Sequence, residues 1–181
     1  MDLVILDRDG VINEEREDFV KSVDEWHPIP GALEAIARLS RAGFRVVVAS
    51  NQSGLARGLF DIAALNEIHA LLHRRLVELG GQLAACFFCP HDPEDGCECR
   101  KPRPGLYRDI ARRLRVSLHG VHIVGDRPSD IEAARAVAAR PVFVRTGRPQ
   151  DRVLVAAELH GAEVYDDLAA FVDHLLAPLD G

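Results

Sequence analysis

The chain has 181 residues, 48% of them hydrophobic, and a formal net charge of −6. That length suits one domain with a sizeable core, read here as residues 1–181. The apolar share excludes disorder as the default state, and the acidic balance argues against nucleic acid or an anionic membrane as the main partner. The N-terminus lacks a basic segment followed by an apolar one, and no apolar run approaches the roughly 18 residues that span a bilayer. The cytoplasm is therefore the expected location.

Leu3 to Leu6 is an apolar, β-branched run that reads as a strand buried on both faces. It leads into Asp7-Arg8-Asp9-Gly10 and so delivers two carboxylates to a sheet edge. In open α/β sheets, ligands bind at the carboxyl ends of the strands. Glu14 to Lys21 has no periodicity and reads as a loop over that edge, and Trp26 to Gly31 is punctuated by two prolines and a glycine. A helix follows, with Leu33, Ile36, Ala37 and Leu39 as its apolar face and Gly43 as its stop. Val46 to Ala49 is the second buried strand, ending in the polar loop Ser50 to Gly54.

A long helix is expected from Asp61 to Leu79, and a third strand from Leu83 to Phe88. The loop Cys89 to Pro104 comes next, and then a helix from Gly105 to Leu114. Val121 to Val124 is a short strand ending in Gly125-Asp126, followed by a helix from Pro128 to Ala139. A strand at Val142 to Val144, a short one at Glu163 to Tyr165 and a helix from Asp167 to Leu176 complete the series. Strands alternating with helices predict an α/β fold: one doubly wound, mainly parallel sheet with helices on both faces.

If the strands are parallel, Asp7, Asp9, Ser50, Arg100, Lys101 and Asp126 converge on one edge. Three carboxylates there suit a hard cation such as Mg²⁺. The cations and the hydroxyl suit phosphate oxygens, and a carboxylate can act as nucleophile in phosphoryl transfer. Cys89, His91, Cys97 and Cys99 supply three thiolates and one imidazole within eleven positions, a ligand set typical of structural Zn²⁺. Such a metal would fold a loop that lacks a core and fix Arg100 and Lys101 just after it. Cys86 lies inside an apolar strand and stands apart from this set.

The motifs Asp7-Arg8-Asp9-Gly10-Val11, Ser50, Lys101 and Gly125-Asp126 with Asp130 occur in the order of the four motifs of the haloacid dehalogenase superfamily, which the chain resembles. Asn51 to Gly58, Cys89-Pro90-His91 and Cys97 to Pro102 resemble more narrowly its heptose bisphosphate and histidinol-phosphate phosphatases, a branch without a large cap domain. The resemblance implies an aspartyl-phosphate mechanism with Asp7 as nucleophile and Asp9 as general acid and base, and with Ser50 and Lys101 on the transferring phosphoryl group. It implies Mg²⁺ held by Asp7, Asp126 and the Asp9 carbonyl. Substrate contacts are implied for Asn51, Gln52, Ser53, Arg57, Arg100 and Arg127. Asp130 either orients Lys101 or caps its helix.

The implied reaction is removal of the C7 phosphate of D-glycero-D-manno-heptose 1,7-bisphosphate, on the way to nucleotide-activated heptose for lipopolysaccharide core. Histidinol phosphate is the alternative substrate, and a catalytically inactive zinc-stabilised binding module is the alternative of another class. A monomer with a small sugar phosphate as partner, and no nucleic acid or membrane, is expected.

Overall fold

Strand β1 (Leu3–Leu6) is apolar at every position because both of its faces are covered. Val4 and Leu6 point into one core layer and Leu3 and Ile5 into another. Each such fully buried side chain contributes about 1.5–3 kcal/mol relative to exposure. The computed structural model describes residues 2–154 and 159–178. In it β1 is joined by β2 (Arg45–Asn51), β3 (Ala85–Cys89), β4 (His122–Gly125), β5 (Arg140–Val144) and β6 (Glu163–Tyr165). All pairings are parallel, in the order β3-β2-β1-β4-β5-β6. The predicted doubly wound sheet is therefore present.

Helices α1 (Ala32–Arg41), α2 (Ile62–Glu78) and α5 (Leu168–Leu175) cover one face, packing Ile36, Leu72 and Phe171 against Val4, Leu6 and Val48. Helices α3 (Gly105–Leu114) and α4 (Pro128–Arg135) cover the other, with Tyr107 and Ile110 on Ile5 and Val47. Asp61 caps α2, its side chain accepting the Ala64 N–H at 2.8 Å. No described helix is long and apolar enough to cross a membrane.

Several predicted boundaries move: β2 runs two residues past its predicted end to Asn51, and β5 begins two residues early at Arg140. Strand β3 starts two residues later than expected and runs on to Cys89, so the first candidate zinc ligand is the last strand residue. Helix α4 stops at Arg135 instead of Ala139. The Ala138 N–H bonds to the Arg135 carbonyl and the Ala139 N–H to that of Ala134, with Ala138 at φ +54°. This is a helix-ending motif that normally carries glycine. An alanine in that place gives the sequence no stop signal.

His69 on α2 packs near Phe88, and its Nε2 is buried without a partner among the described residues. Burial, with a smaller push from the Arg8 cation, lowers its pKa from 6.5 to about 4. The neutral ring is thus favoured in the folded state, and the unfolded chain takes up the proton first as pH falls. Stability contributed this way is present above about pH 6.5 and is lost progressively toward pH 4, by about 3 kcal/mol at most. Denaturant melts of His69→Gln should show a shallower loss of stability across that window. An unchanged slope would remove His69 from the acid sensitivity of the fold.

Candidate active site

The chain order reverses beside β1. The path leads outward through β2 and β3, then crosses back to β4 on the other side of β1. Such a switch point leaves a crevice at the carboxyl ends of the two central strands. Leu6 pairs with Val48 on one side and Val124 on the other, so Asp7 leaves the sheet between β2 and β4. The Asp7 N–H still bonds to the Val124 carbonyl at 2.9 Å, which fixes the backbone of the first carboxylate.

After Asp7 the chain folds back sharply. The Arg8 carbonyl accepts N–H bonds from Val11, Ile12 and Asn13, and Gly10 sits at φ +81°. A Cβ at Gly10 would collide with the Asp126 carboxylate, and so would one at Gly147. These two backbone walls hold Asp126 against Asp7. The Thr146 hydroxyl ties them together by donating to the Gly10 carbonyl at 2.6 Å.

The result is a carboxylate cluster. One oxygen each from Asp7, Asp126 and Asp130 lies within 4.8 Å of the others. Lys101 is the buried cation among them, 2.6 Å from Asp130, 3.1 Å from Asp7 and 3.0 Å from the Ala49 carbonyl. Asp130 also accepts the backbone N–H groups of Asp126 and Arg127 at 3.2 and 3.1 Å, so it both orients Lys101 and caps the start of α4. Asp126 is fully buried, and neither of its oxygens has a hydrogen-bond partner among the described residues. Burial, then Asp130 and Asp7, push its carboxyl well above the usual range. Burial also raises Asp7; Lys101 pulls it back, Asp130 and Asp9 raise it further, and it lies at about 6. Burial works against the charge of Lys101, yet Asp130 and Asp7 hold it firmly protonated. Three carboxylates facing one ammonium leave a buried negative excess, and an orphaned carboxylate inside it fits a divalent cation with oxygen ligands.

Asp9 is placed differently. Its side chain is turned away from that cluster into a cage of donors: Arg8, Asn13 at 2.9 Å and Gln52 at 2.8 Å. Burial would raise its pKa, but the Arg8 charge and these hydrogen bonds bring it below the ordinary value. The Gln52 amide also donates to Ser50 Oγ at 2.7 Å, so it joins the ends of β1 and β2. Asn51 spends both ends of its amide on the Lys101 backbone, at 3.1 and 3.2 Å.

A cleft of about 250 Å³ opens over these groups. Asp7, Asp9, Ser50, Asn51, Ser53, Arg57, Arg100, Lys101 and Arg127 all line it, whereas Gln52 lies behind the wall. The cleft adds residues the sequence reading did not single out, among them Glu15, Phe19 and Arg148. Glu15 is ion-paired with Arg127 and with Arg148, the latter at 3.2 Å. Arg57 reaches from the mouth to Asp92 at 2.7 Å and lies over the Phe19 ring. Arg100 has Nη1 buried without a partner among the described residues, which suits an incoming anion.

Cys89, His91, Cys97 and Cys99 converge at the end of β3, with ligand atoms within 4.8 Å of one another. Five of their six separations run from 3.2 Å (Cys89 to Cys99) to 3.7 Å (Cys97 to Cys99), and the sulfur–sulfur ones are too long for a disulfide. A tetrahedron with zinc–sulfur bonds of about 2.3 Å has edges of about 3.8 Å, so the four atoms fit one tetrahedral ion. Cys86 lies apart on β3, as expected. If the cluster holds zinc, a strong chelator should release one zinc per chain, lower the melting temperature and loosen the Arg100–Lys101 segment. Metal analysis finding no zinc in purified protein would show that it does not.

A family model described as HAD-hydrolase-like matches residues 98–171. The chain is 53% identical over 176 residues to a D-glycero-beta-D-manno-heptose-1,7-bisphosphate 7-phosphatase of Bordetella bronchiseptica, covering 97% of this chain and 98% of that one. It is 51% identical over 174 residues to the protein of the same name from Pseudomonas aeruginosa, covering 96% and 97%. The crystal structure of the B. bronchiseptica phosphatase, complexed with magnesium and phosphate, matches with a TM-score of 0.91 at 53% identity over 97% of this chain and 98% of that chain.

Proposed function

Because the chain belongs to the heptose-1,7-bisphosphate 7-phosphatase family of haloacid dehalogenase-like hydrolases, we propose that it hydrolyses the C7 phosphate of D-glycero-β-D-manno-heptose 1,7-bisphosphate. The observation that carries this reading is the orphaned Asp126 carboxylate beside Asp7 at the switch point of the sheet. Residues 1–181 act as one phosphatase domain, in the cytoplasm and as a monomer, supplying the formation of nucleotide-activated heptose for surface glycans. No observation favours histidinol phosphate or an inactive binding module.

The residues divide the work as follows. An Asp7 carboxylate oxygen attacks phosphorus in line; the Asp7 O–P bond forms as the bond to the C7 oxygen breaks, and Asp9 gives that oxygen a proton. Water then attacks the aspartyl phosphate, Asp9 takes its proton, and inorganic phosphate leaves. The resting Asp9 is ionised, which fits the second half. For the first it must take up a proton, and the approach of a phosphate dianion favours that. Lys101 and Ser50 hold the transferring oxygens, with Asn51 fixing the Lys101 backbone and Asp130 fixing its ammonium. Asp7, Asp126 and the Asp9 carbonyl would hold Mg²⁺, which when bound would supply charge that offsets carboxylate–phosphate repulsion. Arg100, Arg57 and Arg127, with Ser53, face the sugar and its second phosphate. Cys89, His91, Cys97 and Cys99 would hold Zn²⁺, which when bound would fix the loop that carries Arg100 and Lys101.

A panel of sugar phosphates with both anomers of the heptose bisphosphate, plus histidinol phosphate, tests the reading. The β-anomer should be turned over with the highest kcat/KM and release the C7 phosphate first. Preference for histidinol phosphate would overturn the assignment.

A further inference from the structure

The side chain of Arg8 is fully buried, an unusual place for a guanidinium on a loop. Its charge has one carboxylate partner among the described residues, Asp9. Nε and Nη2 bond to Asp9 Oδ1 at 3.2 and 2.9 Å, and Nη2 reaches Oδ2 at 3.1 Å, while Nη1 has no partner among the described residues. Asn13 and Gln52 complete the cage, one on each carboxylate oxygen. Such a fork fixes direction as well as distance, because the guanidinium is planar and cannot follow a rotating carboxylate without losing a bond. A buried ion pair gives little net stability over an apolar pair of the same shape. Its placement here is better explained by orientation.

We propose that Arg8 is a positioning residue for proton transfer: it turns the Asp9 carboxylate out of the metal-binding cluster and aims it at the ester oxygen that leaves phosphorus. The inference rests on the role assigned to Asp9 above. In the step concerned, the bond from phosphorus to the ester oxygen breaks, the Asp9 proton passes to that oxygen, and Asp9 is left as carboxylate. Arg8 touches neither phosphorus nor oxygen and acts through the direction of Asp9. Misplacement of about 1 Å at such a transfer costs on the order of 100-fold in rate.

The test compares two leaving groups in single-turnover measurements with Mg²⁺ present. A sugar alkoxide needs the proton to leave, whereas p-nitrophenolate does not. Arg8→Met should slow release of the sugar by about 10- to 100-fold, with KM for the heptose bisphosphate unchanged, and should leave release of p-nitrophenolate within about threefold. Arg8→Lys keeps the charge but not the fork. It should recover part of the sugar rate and stands in for Arg8→Met if that variant does not fold. Equal losses on both substrates, or no loss on either, in a folded variant would overturn the proposal. Asp9→Asn separates the two readings. If it shows no dependence on leaving group, the role of Asp9 is wrong; if it does and the Arg8 variants do not, only the role of Arg8 is wrong.

Discussion

Asp7→Asn should lower kcat by about 10⁴-fold or more while leaving the fold intact. The substitution replaces a carboxylate oxygen by an amide of the same shape, which is a poor nucleophile and carries no charge for a metal. The backbone at this position is held independently of the side chain, through the Asp7 N–H to Val124 and the parallel pairing of β1 with both neighbours. Lys101 keeps Asp130 and the Ala49 carbonyl as partners in the variant. Circular dichroism should therefore match the parent, and the metal-free melting temperature should be equal or higher, because burial works against the Asp7 charge. Trapping with beryllium fluoride and Mg²⁺ should modify Asp7 in the parent and nothing in the variant. Residual activity above about one hundredth of the parent would show that Asp7 is not the nucleophile.

The second large effect concerns Asp126 and runs in opposite directions for stability and activity. Without metal, the fold carries a buried carboxylate with no hydrogen-bond partner beside two others. Asp126→Asn removes a group that must either hold a buried charge or take up a proton on folding, and should stabilise the metal-free protein by about 1–3 kcal/mol. In the parent, Mg²⁺ at 100 times its dissociation constant should add about 2.7 kcal/mol, or roughly 5–10 °C for a domain of this size. The variant should lose that increment and nearly all turnover. Calorimetry with and without Mg²⁺ reads both quantities. A variant that is less stable than the parent without metal, or that keeps the Mg²⁺ increment, would refute this account of the cluster.

Much of the fold was legible because burial on both faces leaves a plain sequence mark. Leu3 to Leu6 has no polar position, and helix α3 is bounded as predicted. The end of α4 was not legible, since an alanine takes a backbone conformation for which glycine is the usual signal. At the site, the strand ends announced Asp7, Ser50 and Asp126 from strand direction alone, whereas Lys101 lies twelve residues past the end of β3 and reaches the site through the loop that follows Cys89. The cage around Asp9 was hidden. Arg8, Asn13 and Gln52 meet only when β1 and β2 pair and the chain folds back at Gly10. Gly147 gave no signal either. It comes 21 positions after Asp126 in sequence, and its need to be glycine arises only from contact with that carboxylate in space.

The strand order also bears on how the protein emerges from a ribosome. Leu6 finds Val48 early, but its other partner, Val124, is synthesised much later. A growing chain that has not reached β4 holds Asp7 and Ser50 without Asp126, and the middle strand of the future sheet has a bare edge. Pairing across such a span is slow, and an unpaired apolar edge invites association with other chains. A message cut short before β4 would therefore yield a product that is both inactive and adhesive. Release of the nascent segment that carries His122 to Asp126 covers the bare edge of β1, and the site is complete only once Asp130 and Gly147 follow it.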